Sequence, residues 1–386
     1  MQQAKALRTL VLANFFMAFG FNIWQAVFNN FAVEELGISP AQMGLLQSLR
    51  EIPGALGFLT GFIALAFTEL SIASASVVLM GLGLALMSLA TDWSSLLLYT
   101  MVFSIGFHLF YPAGQAAALL LAEKRAPSRL LGHLSSIGAA AALLATLAIV
   151  LLVNRVGIRA IMAASGVLTA LGGLACARRT AHTSRQSRPA PARWRKRYWL
   201  YYYILTFLMG SRRHIFSTFA IFLLVHDHGL HAGGTAALFL VANLLSTYLA
   251  RVIGRLIASA GEKKALTGYF LAIAAICLGY AGVQSFPLLA CLFVADGVLS
   301  RFDMALDSYM RKIAPEEEVT ANTSLSQTIN HLAALVVPAA GGLLWEQLGY
   351  AAPFVFGAAV AATCAALAQR IHLAAQEQEA AALHEL

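Results

Sequence analysis

The sequence predicts an all-α membrane protein with twelve transmembrane helices in two six-helix, pseudo-symmetric bundles, and three observations carry that expectation. Of 386 residues, 59% are hydrophobic and only 11% are charged, against about 25% charged in an ordinary soluble domain. Apolar segments of bilayer-spanning length recur from one end to the other. A single long stretch in the middle, rich in Pro, Ser and Arg (SRQSRPAPARWRKR), separates them into two sets. A spanning helix needs about 20 mostly apolar residues, so twelve use about 240 and leave about 146 for loops, linker and tails. No room remains for a soluble catalytic domain.

Taken in order, the first helix runs near 7–33. It starts directly after Lys5 and Arg8 with no small-residue cleavage site, and so reads as an uncleaved span. Hydropathy and breaker residues place the next five near 41–68, 72–90, 94–120, 133–154 and 158–176. The last six follow near 199–225, 232–259, 265–283, 286–312, 319–345 and 350–372. The expected organisation is an N-terminal bundle over 1–176, a basic linker over 177–198, a C-terminal bundle over 199–372 and a tail over 373–386. Sliding the sequence by 192 positions lays Phe15, Met17, Ile23 and Gly37 on Phe207, Met209, Ile215 and Gly229. Such an internal repeat points to bundles related by an axis along the membrane normal, with a central cavity between them.

Charge sets the orientation. The net charge is +8, from 26 Lys+Arg and 18 Asp+Glu. With an even number of spans both termini share a side, and segment 177–198 lies on that side with Arg178, Arg179, Arg185, Arg188, Arg193, Arg195, Lys196 and Arg197 and no acid. The same side holds Lys124, Arg125, Arg129, Lys263, Lys264, Arg311 and Lys312, leaving only Arg155 and Arg159 in opposite loops. Basic loops stay cytoplasmic, which places both termini inside a bacterial-type inner membrane. The basic run then faces anionic lipid, and no nucleic-acid partner is expected. Cys176, Cys277, Cys291 and Cys364 are scattered through apolar stretches without CxxC spacing, which argues against a disulfide framework or a zinc site.

A charge at the bilayer centre costs at least ~2.5–3.5 kcal/mol, so each one needs a partner, water or a task. Such charges occur in helix 2 (Arg50, Glu51), helix 7 (Arg212, Arg213), helix 8 (Arg251) and helix 10 (Asp296, Arg301, Asp303), while helices 3, 6, 9 and 12 carry none in their interiors. Residues three, four or seven apart share a helix face. That spacing groups Asn22, Gln25 and Asn29 on helix 1; His108, Tyr111 and Gln115 on helix 4; and Asn243, Thr247 and Arg251 on helix 8. It also groups Ser324, Gln327 and His331 on helix 11, and Asp296, Asp303 and Asp307 on helix 10. For any single polar residue, hydrogen bonding between helices is the plainer explanation. Stripes converging from several helices fit a polar cavity better. The substrate-binding residues expected on this basis are Asn22, Gln25, Arg50, His108, Tyr111, Arg212, Arg213, His214, Gln327 and His331.

Arg212, Arg213 and His214 lie about thirteen residues into helix 7, near mid-membrane at ~1.5 Å rise per residue. The two arginines point about 100° apart, so one can face the cavity while the other pairs with an acid of helix 10. A guanidinium fork suits a carboxylate or phosphate, which points to an anionic or zwitterionic solute; a structural ion pair is the competing reading. Arg50 and Glu51 are adjacent and are expected to reach different partners. Glu51, Asp296 and Asp303 are the expected proton carriers, set against the alternative that each only neutralises an arginine. The loop His226-Asp227-His228-Gly-Leu-His231 offers metal-ligand side chains. With His108, His214 and His331 it keeps a metal or metal-chelate cargo open, whereas a plain polar loop is the simpler reading. No nucleophile–base pair and no phosphate-cradling glycine loop stands out, so neither an enzyme nor a cofactor is expected.

The chain resembles the major facilitator superfamily over essentially its whole length. The resemblance rests on the six-plus-six spans, the basic linker and a degenerate loop motif after helix 8, Gly254-Arg-Leu256-Ile-Ala-Ser-Ala-Gly261-Glu-Lys263-Lys264. The motif's usual Asp and Arg are replaced by Ala258 and Ser259, and the corresponding loop after helix 2 (Gly61 to Ala75) lacks basic residues. In that family helices 3, 6, 9 and 12 are peripheral and lipid-facing, which agrees with their lack of charge here. Drug/proton antiporters of the family carry Gly-Pro-x-x-Gly-Gly in helix 5 and an Arg in helix 4. Here helix 5 reads GHLSSIGAAAALLATLAIVLL and helix 4 has His108 instead, while Pro338-Ala-Ala-Gly341-Gly342 in helix 11 matches half of that signature in the other bundle. The resemblance implies a monomeric secondary transporter of a small polar solute, working by alternating access and coupled to protons. Proton-driven efflux and metal or metal-chelate transport are the alternatives within transport, and a transporter-like receptor or assembly factor is the alternative outside it.

Overall fold

The structure, a computed structural model, describes residues 2–57, 59–122, 127–178, 199–313 and 316–371. Most of the basic linker, Lys124 and Arg125, and the tail 373–386 lie outside the described residues. Among the described residues there is helix and turn but no strand. Hydrocarbon offers the backbone no hydrogen-bond partner, so each spanning segment must satisfy its own N–H and C=O groups as a helix.

The first six spans are α1 (Gln2–Asn30, extended by a π-helical turn Phe31–Glu35), α2 (Pro40–Arg50, continued by Ile52–Ala55 and Leu59–Ile63), α3 (Glu69–Met87), α4 (Trp93–Leu121), α5 (Pro127–Val156) and α6 (Ile158–Ala177). The last six are α7 (Leu205–His226, entered through the π-helical Trp199–Ile204), α8 (Ala232–Ala260), α9 (Glu262–Gly282), α10 (Phe286–Leu299, Ser300–Asp303 and Met304–Ile313), α11 (Glu316–Leu348) and α12 (Ala351–Ala368). Ten of these, among the described residues, are long and apolar enough to cross a membrane as unbroken helices. The exceptions are α2 and α10.

Both exceptions correct the expectation of continuous helices over 41–68 and 286–312. In α2 the break falls at Glu51, directly before Pro53. Proline has no N–H and its ring crowds the carbonyl four residues earlier, which weakens the helix there and favours a break. In α10 the turn Ser300–Asp303 tightens to 3₁₀ geometry. The Gly297 carbonyl accepts there from Ser300 Oγ (2.8 Å) and from Ser246 Oγ of α8 (2.9 Å), so the irregular turn leaves that acceptor satisfied. Each interruption carries charged residues that the sequence singles out.

The chain forms two compact units. One comprises Met1–Gln42, Leu49–Ser187 and Val225–Asn243; the other comprises Met43–Ser48, Arg188–Leu224 and Leu244–Leu386. The 192-residue repeat recurs in the backbone itself: Gly37 and Gly229 have φ of +60° and +65°, and Gly157 and Gly349 have +82° and +90°. All four sit at helix ends, where a left-handed residue terminates one helix and only glycine adopts it without a Cβ clash.

In the first unit α3 packs against α4 and α6, and α1 against α5 and α6. Lipid tails are as apolar as leucine, so helices associate through close packing of small residues. At Gly81 an added Cβ would lie 2.3 Å from the Ala170 backbone N of α6, and at Gly106 of α4 one would lie 2.5 Å from the Met80 N of α3. Arg159, at the start of α6, closes one end of this unit. It donates to Glu35 Oε2 (3.0 Å) and to the carbonyls of Ser88 (2.8 Å) and Ala90 (3.0 Å), and lies over the Phe31 ring. One guanidinium thus joins the ends of α1, α3 and α6. In the second unit α9 packs on α12, and Phe219, Phe222, Trp345 and Phe354 form an aromatic core. Pro338 lies inside α11 in the same unit, and the following Ala339 N–H donates to Ser48 Oγ (2.9 Å).

Two alanine substitutions separate close packing from helix propensity. Gly81→Ala drives a methyl group into the α6 backbone and should destabilise by about 1–3 kcal/mol despite better propensity. Gly268→Ala on α9, where an added Cβ meets nothing within 4 Å, should be neutral or stabilise by up to about 1 kcal/mol. Thermal unfolding of the purified variants in detergent reads the difference; equal melting temperatures would sink the close-packing account.

Candidate functional site

Each unit gathers its membrane-embedded charges around its interrupted helix. In the first unit the break between Arg50 and Glu51 changes what those neighbours can do. On a continuous helix they would diverge and are expected to find separate partners; with the chain turning at Glu51, the Arg50 guanidinium folds back and pairs with the Glu51 carboxylate. Arg50 also lies 4.9 Å from the centroid of the Trp24 ring of α1, a cation–π contact. Its carbonyl accepts from Ser104 Oγ of α4. One turn further along α4, His108 places Nδ1 2.9 Å from the Ser104 carbonyl. A carbonyl only accepts, so Nδ1 carries the hydrogen, and the opposite nitrogen Nε2 is turned toward Glu51 Oε2 at 3.4 Å. Glu51 and His108 are both buried.

In the second unit four helices contribute. Arg212 of α7 is 1% exposed; its Nη1 donates to Asp296 Oδ1 of α10 (2.6 Å) and its Nη2 to the Tyr269 hydroxyl of α9 (2.7 Å). Arg213, the next residue, pairs through Nη2 with Asp303 Oδ2. The Tyr269 hydroxyl donates to the other oxygen, Asp303 Oδ1, at 3.0 Å. Tyr269 thus links two ion pairs of different character. The side chains of Arg212 and Asp296 are 1% and 14% exposed, whereas those of Arg213 and Asp303 are 39% and 22% exposed. The Tyr269 ring stacks on Phe302, inside the 3₁₀ turn, and so ties the turn to α9. Ser246 of α8 donates to the Gly297 carbonyl just before the turn.

The remaining expected residues are less concentrated. Asn22 is half-buried and donates to the Ala18 carbonyl of its own helix (2.8 Å), and Gln25 is half-buried on the same helix. Tyr111 is exposed, its ring edge-on to Phe107. His214 and His331 are half-buried, and Gln327 is exposed. Arg251 and Arg301 are exposed. In the loop motif Gly261 has φ +81° between α8 and α9, and Gly254 and Leu256 lie on α8. Lys263 and Lys264 open α9, but the ion pair at this corner belongs to Glu262, which accepts from Lys312 Nζ (2.7 Å) and Ser308 Oγ (2.8 Å) of α10. In the loop after α7, His226 pairs with Asp227, and His231 lies 3.9 Å from Glu34.

Sequence reasoning misses three contributors. Tyr269 sits on a helix with no interior charge, where a tyrosine reads as ordinary core. Ser104 and Trp24 matter only because α2 breaks beside them. No local signal distinguishes these residues, since their roles depend on partners 26 to 57 positions away.

The family model described as the Major Facilitator Superfamily matches residues 10–302 and 203–381. Among solved structures, a point mutant of the nucleoside transporter NupG is similar with a TM-score of 0.79 at 13% identity, covering 95% of this chain and 99% of that one. NupG without that substitution gives 0.75 at 14% identity over the same shares. A bacterial homologue of the human lysosomal transporter Spinster, inward-facing and unoccupied, gives 0.70 at 13% identity, covering 97% of each chain. At these identities the likeness is one of fold. No curated protein matches the sequence significantly.

The unequal exposure of the two arginines makes a stability prediction. Removing Arg212 strands a buried carboxylate, at a cost of about 3–5 kcal/mol, so Arg212→Ala should lose most of its monodisperse protein on size exclusion. Arg213→Ala leaves Asp303 within reach of water and of Tyr269, and should fold with a melting temperature near that of the unsubstituted protein. Equal losses at both positions would contradict the assignment of Arg212 as the structural member.

Proposed function

The chain belongs to the major facilitator superfamily, and from that premise we propose that it is a secondary transporter of a small anionic or zwitterionic solute, working by alternating access and coupled to protons. The observation that carries this reading is the partly exposed Arg213–Asp303 pair beside the buried Arg212–Asp296 pair. An ion pair held in a membrane-spanning bundle costs desolvation energy that a packed apolar core would avoid. Arg212 and Asp296 offset that cost by ordering α7, α9 and α10. Arg213 and Asp303 add little to that order, and their exposure leaves the guanidinium within reach of a carboxylate or phosphate, which it binds as a two-pronged donor.

Coupling follows from charge balance. When a solute anion takes Arg213, Asp303 loses its counter-charge, and a proton restores neutrality. The solute and the proton therefore load together. Of the three expected carriers, Asp303 suits this best, because Asp296 stays committed to Arg212. Glu51, with Arg50 and His108 around it, is a separate acid–base group of the first unit, suited to a second proton step. A neutral solute would gain nothing from Arg213, which favours a charged one. In this reading both termini and residues 177–198 face the cytoplasm, in keeping with their basic residues, the protein sits in an inner membrane as a monomer, and it catalyses no covalent chemistry.

The test has two stages. A thermal-shift screen of the purified protein against metabolite and metal libraries identifies a ligand, since saturation at 100 times Kd adds ~2.7 kcal/mol of stability. Proteoliposomes then measure its transport with and without an imposed pH gradient. Arg213→Ala should abolish binding, whereas Arg255→Ala, on the exposed face of α8, should keep it. Asp303→Asn should lose gradient-driven accumulation while keeping exchange, because exchange needs only the loaded carrier to reorient. Equal, mild effects at Arg213 and Arg255 would remove the substrate role, and accumulation by Asp303→Asn under a proton gradient would remove the coupling role.

A further inference from the structure

The hydrogen bonds around Tyr269 have a fixed direction. A guanidinium has no acceptor, so the contact between Arg212 Nη2 and the Tyr269 oxygen must use an arginine hydrogen and a tyrosine lone pair. The single hydroxyl hydrogen is then left for Asp303 Oδ1. Tyr269 is buried, so turned elsewhere that hydrogen would be an unsatisfied donor. A carbonyl oxygen accepts more strongly than a carboxylic hydroxyl oxygen, so the bond from Tyr269 favours Oδ1 as the carbonyl and Oδ2 as the oxygen that takes an arriving proton. Oδ2 is the oxygen that holds Arg213.

We infer that Tyr269 is a positioning residue that sets proton binding at Asp303 against the Asp303–Arg213 ion pair, by holding Oδ1 as the carbonyl and directing the proton to Oδ2. Protonation then releases the Arg213 guanidinium, and return of Arg213 expels the proton. The step balances as one O–H bond formed at Oδ2 and one O–H bond of hydronium broken to leave water, with one N–H···O bond and one ion pair lost at Asp303. The charged and titratable groups around Asp303 are Arg212 and Arg213 from α7, Tyr269 from α9, and Asp296 and Asp307 from α10. Of the groups with hydrogen bonds to Asp303, Arg213 alone is partly exposed. The release is thus directed at the partly exposed cation of this cluster, within reach of a solute. The inference rests on the proposed role of Asp303 as a proton carrier and extends it to a residue of a helix without interior charge.

The test needs no solute. In the full-length protein in detergent, Asp303→Asn mimics a carboxyl protonated on Oδ2: Tyr269 claims the amide carbonyl, and the NH₂ group faces Arg213, donor against donor. Phenylglyoxal labelling, read by tandem mass spectrometry, should then modify Arg213 about tenfold faster than in the unsubstituted protein, the factor expected for loss of one hydrogen bond to a charged group. Arg212 should stay unmodified. In the double variant with Tyr269→Phe the amide is free to turn its carbonyl to Arg213, and labelling should fall back toward the unsubstituted rate. Labelling that stays as fast in the double variant overturns the inference.

A second measurement covers failure of Asp303→Asn to fold. Infrared titration of the protein with native Asp303 should show a carboxylic carbonyl band on acidification that moves to higher frequency in Tyr269→Phe, because its carbonyl oxygen has lost a donor. A band that does not move overturns the inference as well. Absence of proton-driven transport in proteoliposomes would instead remove the transport reading, and these two measurements would still decide the role of Tyr269.

Discussion

The burial of Arg212 is the constraint around which the second unit is organised. A guanidinium cannot shed its charge, so a residue 1% exposed in a hydrophobic bundle needs both a counter-charge and acceptors for its remaining hydrogens. Asp296 supplies the first and the Tyr269 hydroxyl adds an acceptor. Three helices must therefore hold their register to a fraction of an ångström. Asp303 enters the same cluster through Tyr269, which is how a static pair and an accessible one come to share a hydrogen-bond chain. Arg213 owes its position to this arrangement, since it is fixed one residue along the helix that Arg212 anchors.

Irregular backbone marks both charge clusters. Helices that cross lipid tolerate a break only where the freed groups find partners in the protein, and those partners are visible here. Ser104 serves the Arg50 carbonyl at the α2 break, and Ser246 and Ser300 serve the Gly297 carbonyl at the α10 turn. Small hydroxyl residues, on neighbouring helices at Ser104 and Ser246 and in the turn itself at Ser300, thus stabilise the interruptions. Discontinuous helices with charged or polar residues at the interruption are a recurrent way for transporters to build ion and substrate sites, and here each repeat half contains one.

The rest of the fold is quieter. Glycine backbones let α3 approach α4 and α6 closely, and Arg159 ties the ends of α1, α3 and α6. Positive-φ glycines 192 residues apart terminate corresponding helices in the two halves, so the repeat that is faint in side chains is plain in the backbone.

What the sequence determines by itself is whatever depends on short range. Length and hydropathy locate the spans, because the bilayer imposes a length on every helix whatever its neighbours do. Charge counts identify α2, α7, α8 and α10 as the helices with interior ionic groups, because the cost of a charge in hydrocarbon is local. The loops that carry the basic residues are legible for the same reason. The tertiary structure decides partnership. Arg50 and Glu51 are read from their spacing as divergent, yet they pair, since Pro53 breaks the helix where spacing rules assume it continues. Nothing in the neighbourhood of Tyr269 announces that its hydroxyl joins two ion pairs. That role arises from α7, α9 and α10 meeting across dozens of residues, and a hydrogen bond depends on where atoms meet in space rather than on where they stand in the chain.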